Sequence, residues 1–125
     1  LIEGEKNDWL PRIELILSET LNKEIEPFDR FSNLHLYSQK VDGLLKEFNH
    51  LRQENLDKLK SYNLGESELS KTGIHPELGK VSLKQLLATW TVHDLSHIAQ
   101  IVRVLSKQYE REVGPWINYL GILNR

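Results

Sequence analysis

The fold is decided by residues 82–111, SLKQLLATWTVHDLSHIAQIVRVLSKQYER. Ser82 and Gln85 have the three-residue separation of a capping box, in which each side chain bonds the other residue's backbone N–H at the start of a helix. No Gly or Pro interrupts the residues that follow, so the stretch predicts one helix of about 29 residues and about 43 Å. Because its middle carries few charges, we expect this helix to be central and buried on several sides.

Other parts of the chain also predict helices. Residues 41–62 carry apolar side chains at three- and four-residue spacing, which is the pattern of one helical face. Residues 2–17 show a looser form of this pattern. A kink or break is expected there near Trp9, because Pro11 lacks a backbone N–H. A short last helix is expected to begin at Pro115.

The remaining residues predict connections. Residues 20–38 have no sustained period, and we expect their aromatic side chains Phe28, Phe31 and Tyr37 to plug the core. Residues 66–80 are polar and have room for one short helical turn. No segment shows the alternation that is typical of a strand. The sequence therefore predicts an all-α fold of the up-down four-helix-bundle type, in a single domain over residues 1–125.

Composition excludes several function classes. The 125 residues contain no Cys, which rules out disulfides, thiolate metal sites and a cysteine nucleophile. Sixteen basic and eighteen acidic residues give a net charge of −2, so no excess of positive charge predicts nucleic-acid binding. No apolar run approaches the roughly 20 residues of a membrane span, and no G-x-S-x-G elbow or glycine-rich phosphate loop occurs. We expect a cytoplasmic protein.

One pair of residues could form a metal-binding or catalytic site: His93 and His97 in TWTVHDLSHIAQ. Residues four apart lie on one helical face, so both imidazoles can reach a single ion from a rigid backbone. The same face continues through Leu86, Trp90, Ile101 and Val104. The pair thus lies on an apolar stripe, where a polar group needs a partner. Three interpretations are open: hydrogen-bonded structural histidines, a ligand pair for a transition metal ion, or a proton-transfer pair.

Three further residues could contribute to a site built on this pair. His75 precedes the helix cap by seven residues, and an extended connection of that length reaches up to about 23 Å. His75 is therefore a candidate substitute for the missing metal ligand, although we favour a role in fixing the conformation of its own loop. Glu5 and Asp94 are candidate outer partners, because a metal-bound histidine usually donates its second nitrogen to a carboxylate or carbonyl. Either acid could equally be a solvated surface residue.

Three segments resemble parts of a known family. HPELGKVSLKQLLATWTVHDLSHIAQIVRVL, which begins at His75, and KQYEREVGPWINYLGIL, which begins at Lys107, resemble the C-terminal half of the DinB-like helical bundles. LIEGEKNDW at residues 1–9 resembles the helix that carries the first histidine motif of that family. The resemblance spans nearly the whole chain, and its most specific parts are the HD-x-x-H block and the HPELG loop.

The resemblance implies a four-helix bundle that holds a divalent ion, Zn²⁺ or Ni²⁺, with three histidines. Two of them match His93 and His97, and the third precedes the residue that aligns with Leu1. The sequence has no Met, even at position 1, so we expect an N-terminally truncated bundle with an incomplete site. Two histidines and water make a poor site. We therefore expect weak or no metal binding unless His75, Glu5 or a neighbouring chain completes the ligands.

Two functions are compatible with these observations. The resemblance implies a metal-dependent enzyme of the hydrolase or thiol S-transferase type, acting on a small molecule, with a low-molecular-weight thiol as one co-substrate. Nothing in the residues identifies the substrate or the catalytic residues. The alternative is a non-enzymatic helical module that self-associates and uses its histidines for structure. In either case a truncated bundle exposes apolar helix surface, so we expect a homodimer.

Overall fold

The computed structural model describes residues 1–29, 31 and 40–124, and it corrects the predicted fold class. The elements in chain order are α1 (Ile2–Asn7), α2 (Trp9–Leu17), α3 (Val41–Ser61), α4 (Glu66–Leu69), β1 (Thr72–His75), β2 (Gly79–Ser82) and α5 (Leu83–Lys107). A 3₁₀ helix follows at Gly114–Tyr119. Several of the helices are short, and a two-stranded antiparallel sheet accompanies them. The prediction of an all-α, up-down four-helix bundle is therefore wrong.

The sheet is a hairpin of two four-residue strands. Thr72 lies opposite Ser82 and His75 lies opposite Gly79, with the turn between them. Gly79 has a φ of +73°, which glycine adopts without the steric penalty that other residues meet. Strands of four residues are at the lower limit of length at which alternation can be recognised in a sequence. This is why the 66–80 segment predicted a plain connection.

A third backbone segment pairs with β1 on its other side. The Ile25 N–H donates to the Ile74 carbonyl at 2.8 Å, and the Ile74 N–H donates to the Lys23 carbonyl at 2.8 Å. The neighbouring Gly73 makes this approach possible, since a Cβ there would lie 3.0 Å from Ile16 Cγ1 and 3.2 Å from the Lys23 carbonyl oxygen. A residue without a side chain thus lets α2 and the 23–25 segment contact β1.

The chain divides into two compact units, Leu1–Leu87 and Ala88–Arg125. The first unit has a core of apolar side chains from α1, α2, the 23–25 segment and the start of α5. The buried residues of this core are Ile2, Trp9, Leu10, Ile13, Ile16, Ile25, Leu83 and Leu86. Ile13, Ile16 and Leu83 are the largest side chains that are fully enclosed.

Several of the helix predictions are confirmed. Helix α3 occupies the predicted residues, and the break near Trp9 lies at Asp8, between α1 and α2. The capping box at the start of α5 is formed. The Ser82 N–H donates to Gln85 Oε1 at 2.9 Å, and the Gln85 N–H donates to Ser82 Oγ at 3.2 Å. Helix α5 ends at Lys107, four residues short of its predicted end, and the last helix is 3₁₀.

The burial of several side chains differs from what the sequence predicts. The buried side chain of α3 is the polar Asn55, whereas Val41 and Leu45 of its apolar face are exposed. Phe31, an expected core plug, is 75% exposed and Phe28 is 36% exposed. The third expected plug, at position 37, lies outside the described residues. Helix α5 was expected to be buried on several sides, yet apolar residues of its second half are exposed.

Polar contacts join α3 to the first two helices. Lys6 Nζ lies 2.6 Å from Glu47 Oε1 and links α1 to α3. Glu14 Oε1, on α2, accepts from Lys58 Nζ at 2.5 Å and from the Tyr62 hydroxyl at 2.7 Å. The bonds from Lys58 and then Tyr62 lower the pKa of the Glu14 carboxyl. Burial, followed by the bond to Glu14, raises the pKa of Tyr62 to about 12.

Candidate functional site

The two predicted histidines converge on one point. His93 and His97 lie on successive turns of α5, within the second unit, and their Nε2 atoms are 3.2 Å apart. The rings meet edge to face, with centroids 4.5 Å apart and an interplanar angle of 73°. Both side chains are half-buried. Because a single rigid helix holds both rings, this geometry depends on side-chain rotation alone.

This separation fits two chemical arrangements. Two nitrogens bound to one Zn²⁺ at about 2.0–2.1 Å and a tetrahedral angle lie about 3.3 Å apart. The separation of the two Nε2 atoms is therefore compatible with two adjacent coordination positions on one ion. The same distance also fits an N–H···N hydrogen bond in which one imidazole donates and the other accepts. Both arrangements require imidazoles that are not both protonated, because two cations at 3.2 Å would repel each other strongly.

The face that carries the pair changes character along α5. Trp90, one turn before His93, is 6% exposed. Past His97, Ile101 is 53% exposed and Val104 is 61% exposed. The imidazoles therefore lie where the helix passes from buried to exposed surroundings, so a small ligand has access to them from the exposed side.

A complete metal site is not formed by the described residues. Among them, no group of three His, Asp or Glu side chains has a geometry that could hold a metal ion. His75, the predicted substitute ligand, uses Nδ1 to accept the backbone N–H groups of Glu77 and Leu78, each at 3.2 Å. It therefore fixes the β1–β2 turn, which is the role that the sequence favoured. Ligation by His75 stays a prediction.

Glu5, a predicted outer partner, lies in a polar cluster inside the first unit. The residue is 2% exposed. Arg52 Nη2 donates to Glu5 Oε1 at 2.6 Å, and Asn55 Nδ2 donates to Glu5 Oε2 at 2.9 Å and to its carbonyl oxygen at 2.8 Å. Arg52 also lies over the Phe48 ring, 4.9 Å from its centroid. These contacts make Glu5 a structural link between α1 and α3, and its predicted role beside a metal stays a prediction.

Asp94, the other predicted outer partner, follows His93 on α5 and is half-buried. Its role also stays a prediction. His50 on α3 provides a useful contrast, because its Nε2 lies 3.3 Å from Glu54 Oε1 and both side chains are largely exposed. This second pair has the same four-residue spacing as His93 and His97 without their partial burial.

The sequence did not indicate a cleft in the first unit. Its volume is about 310 Å³, and it is lined by parts of α1, α2 and residues 25–29. In its wall the Arg12 Nε donates to Asp8 Oδ1 at 2.7 Å, and Arg12 Nη2 donates to the Glu26 carbonyl at 3.4 Å. Burial raises the pKa of Asp8, opposed by the charges of Arg12 and His75. The four-residue spacing of Asp8 and Arg12 was the available signal, but such pairs are common on helix surfaces.

In comparisons with known proteins, the chain matches no protein-family model and no curated protein. The DinB-like resemblance of the HPELG and HD-x-x-H segments therefore stays a prediction. Within the part of the chain that the structure describes, no helix has both the length and the apolar character that a membrane crossing needs.

Proposed function

We propose that this chain acts in a metal-dependent enzyme of the DinB-like type, in which His93 and His97 supply two ligands to a divalent ion. The observation that carries the proposal is the 3.2 Å separation of the two Nε2 atoms, which is close to the separation of two nitrogens on one zinc ion. The resemblance implies a third histidine ligand and the choice between Zn²⁺ and Ni²⁺.

The chemistry follows from this ligand set. A bound ion of this kind would make a coordinated water or thiol acidic enough to serve as a nucleophile near neutral pH. The part of His93 and His97 is to stay neutral and to present their Nε2 atoms from a rigid helix. We propose hydrolysis or thiol transfer on a small molecule, in the cytoplasm, with a low-molecular-weight thiol as a candidate co-substrate.

A second function is supported by a different set of observations. The 3.2 Å contact is equally a hydrogen bond between neutral imidazoles, and apolar residues of α5 are exposed. Together they support a non-enzymatic module that self-associates, with histidines that only stabilise the helix. The two functions differ in whether the pair binds an ion.

Metal titration separates them. Zn²⁺ and Ni²⁺ are titrated by calorimetry into residues 1–125 and into the gene product at its encoded length. The His97→Ala and His50→Ala variants of the gene product are titrated in the same way. We expect one ion per chain at the encoded length, with affinity reduced about 100-fold or more by His97→Ala, since even loss of an outer partner costs 10- to 100-fold. His50→Ala is the matched control, because that histidine also faces a potential ligand four residues away but is exposed.

Protonation provides a second readout on the same samples. Imidazoles must be neutral to bind a metal ion, so affinity should fall as the pH is lowered and binding should release protons. Equal affinity of His97→Ala and the unsubstituted protein, or no binding by the encoded protein, would refute the metal proposal and leave the structural role.

A further inference from the structure

The cleft in the first unit has the size and the mixed lining of a small-molecule site. Its volume of about 310 Å³ is at the lower end of the range of roughly 300–1,000 Å³ that such sites occupy. Leu15, Ile25 and Phe28 are among the apolar side chains that line it, and charged side chains line it as well. The cleft therefore suits a small molecule that has both an apolar part and charged groups.

Arg12 supplies positive charge to the cleft and keeps part of its hydrogen-bonding capacity. Its Nε donates to Asp8 Oδ1 at 2.7 Å, and its Nη2 donates to the Glu26 carbonyl at 3.4 Å. Neither of these contacts uses Nη1, which has two N–H groups. Because a guanidinium presents its donors in a planar fork that matches a carboxylate, Arg12 can bind a ligand carboxylate while it keeps its pair with Asp8.

The cleft also carries more negative charge than Arg12 balances. Asp8 is 8% exposed and paired with Arg12, so its charge is already compensated. Three further acids, Glu3, Glu26 and Asp29, line the cleft. They would repel a ligand that is only an anion, whereas a ligand that is only a cation would make no use of Arg12 Nη1. A molecule with both a carboxylate and an ammonium group matches both kinds of side chain.

We propose that this cleft binds a small zwitterion of the free α-amino acid class with an apolar side chain. The ligand carboxylate accepts from Arg12 Nη1, its ammonium group donates to the acidic side chains of the cleft, and its apolar part contacts Phe28. The site is independent of the metal proposal, because its residues belong to the first unit and His93 and His97 belong to the second.

Calorimetric titration of the 125-residue chain with four probes separates these contacts. L-Leucine carries all three groups, N-acetyl-L-leucine lacks the ammonium group, L-leucinamide lacks the carboxylate, and glycine lacks the apolar side chain. We expect L-leucine to bind with a dissociation constant of about 1 mM or lower. Each of the other probes should bind at least about 10-fold more weakly, because each loses one charge-assisted bond or the apolar contact.

Two substitutions remove charge from the cleft and keep the local hydrogen bonds. Glu3 Oε2 accepts from Asn7 Nδ2 at 3.0 Å, and Asp29 Oδ1 accepts from the Phe31 N–H at 3.0 Å. Glu3→Gln and Asp29→Asn retain an acceptor oxygen at both positions. The double variant should bind L-leucine at least about 10-fold more weakly and lose most of the preference for L-leucine over N-acetyl-L-leucine.

Two further variants test the assignment. Glu19→Gln/Glu77→Gln is the matched control, because it removes the same charge from exposed residues that do not line the cleft, and it should leave the affinity for L-leucine unchanged. Arg12→Lys keeps a cation beside Asp8 but removes the fork, so it should reduce the preference for L-leucine over L-leucinamide.

The comparison of probes on the unsubstituted chain decides the proposal even where a variant fails to fold, which far-UV circular dichroism detects. No binding of L-leucine would overturn the proposal. Equal or tighter binding of N-acetyl-L-leucine or L-leucinamide would also overturn it, since the cleft would then be a site for a simple anion or a simple cation. An equal loss of affinity in Glu19→Gln/Glu77→Gln and in the cleft double variant would overturn the assignment to this cleft.

Discussion

Replacing Arg52 tests whether the buried ion pair with Glu5 holds α1 against α3. The Glu5 side chain is 1% exposed and the Arg52 side chain is 21% exposed, with 2.6 Å between the charged atoms. Arg52→Met keeps an apolar stem of similar length over Phe48 and removes the guanidinium. The Glu5 carboxylate then stays buried and bonded to Asn55 but loses its bond to the Arg52 guanidinium.

The expected cost follows from this burial. Removing one partner of a buried ion pair typically costs 3–5 kcal/mol, and partial exposure of Arg52 favours the lower end, about 3 kcal/mol. Lys6→Met is the matched control, because the Lys6–Glu47 pair joins the same two helices with side chains 41% and 31% exposed. Such an exposed pair contributes under about 1 kcal/mol.

Urea unfolding measures the difference. With a slope of about 1.5 kcal/mol/M, a loss of about 3 kcal/mol lowers the midpoint by about 2 M, and the control moves it by less than about 0.7 M. The double variant Glu5→Gln/Arg52→Met isolates the pair. In the Glu5→Gln background Arg52→Met should cost at least about 1.5 kcal/mol less than it does alone. Equal midpoints for Arg52→Met and Lys6→Met would refute the claim that burial makes this pair important.

Two other perturbations test the packing of the first unit. Gly73→Ala should lower the free energy of unfolding by about 1–2 kcal/mol, measured by thermal or urea unfolding, because the added Cβ lies 3.0 Å from the Ile16 side chain. Gly121→Ala is the control: its added Cβ meets open space, so it should leave the free energy of unfolding unchanged. Tyr62 has an ordinary pKa of 10.0 that folding raises to about 12, so its stabilising contribution is present below pH 10 and is lost as the pH rises from about 10 to about 12. Spectroscopic titration of tyrosinate should show a late phase that Tyr62→Phe removes and Glu14→Gln shifts to lower pH. A late phase unchanged by both variants would contradict the assignment.

The parts of the fold that local sequence determines were predicted from the sequence. The capping box of Ser82 and Gln85 spans three residues, and the break near Trp9 follows from a single proline at position 11. Both signals act within one turn, where sterics and backbone hydrogen bonding dominate. The β1–β2 hairpin was missed because its strands are too short to show a period. The pairing of β1 with residues 23–25 brings together segments about 50 residues apart, which no local pattern indicates.

Burial was predicted least well, for a related reason. An apolar period on α3 and α5 shows which side chains share a face, but it does not show what covers that face. On α3 the covered position is Asn55, which bonds to Glu5 at a separation of 50 residues. The apolar Val41 and Leu45 are left exposed. The polar residue is buried because Glu5 offers it two acceptors, and this information resides in α1.

In the candidate site, too, the residues that are close in sequence were predicted and the distant ones were not. His93 and His97 were found because a helix brings residues four apart onto one face, and the structure brings their Nε2 atoms to 3.2 Å. Two such ligands determine where an ion would lie, whereas a third ligand and an open position determine its chemistry. That third ligand would have to come from another segment, since Trp90 and Ile101, the neighbours of the pair on the same face of α5, carry no metal-ligating group. The residue that decides the function is therefore one that helical periodicity cannot reveal, and the metal titration at the encoded length is directed at its contribution.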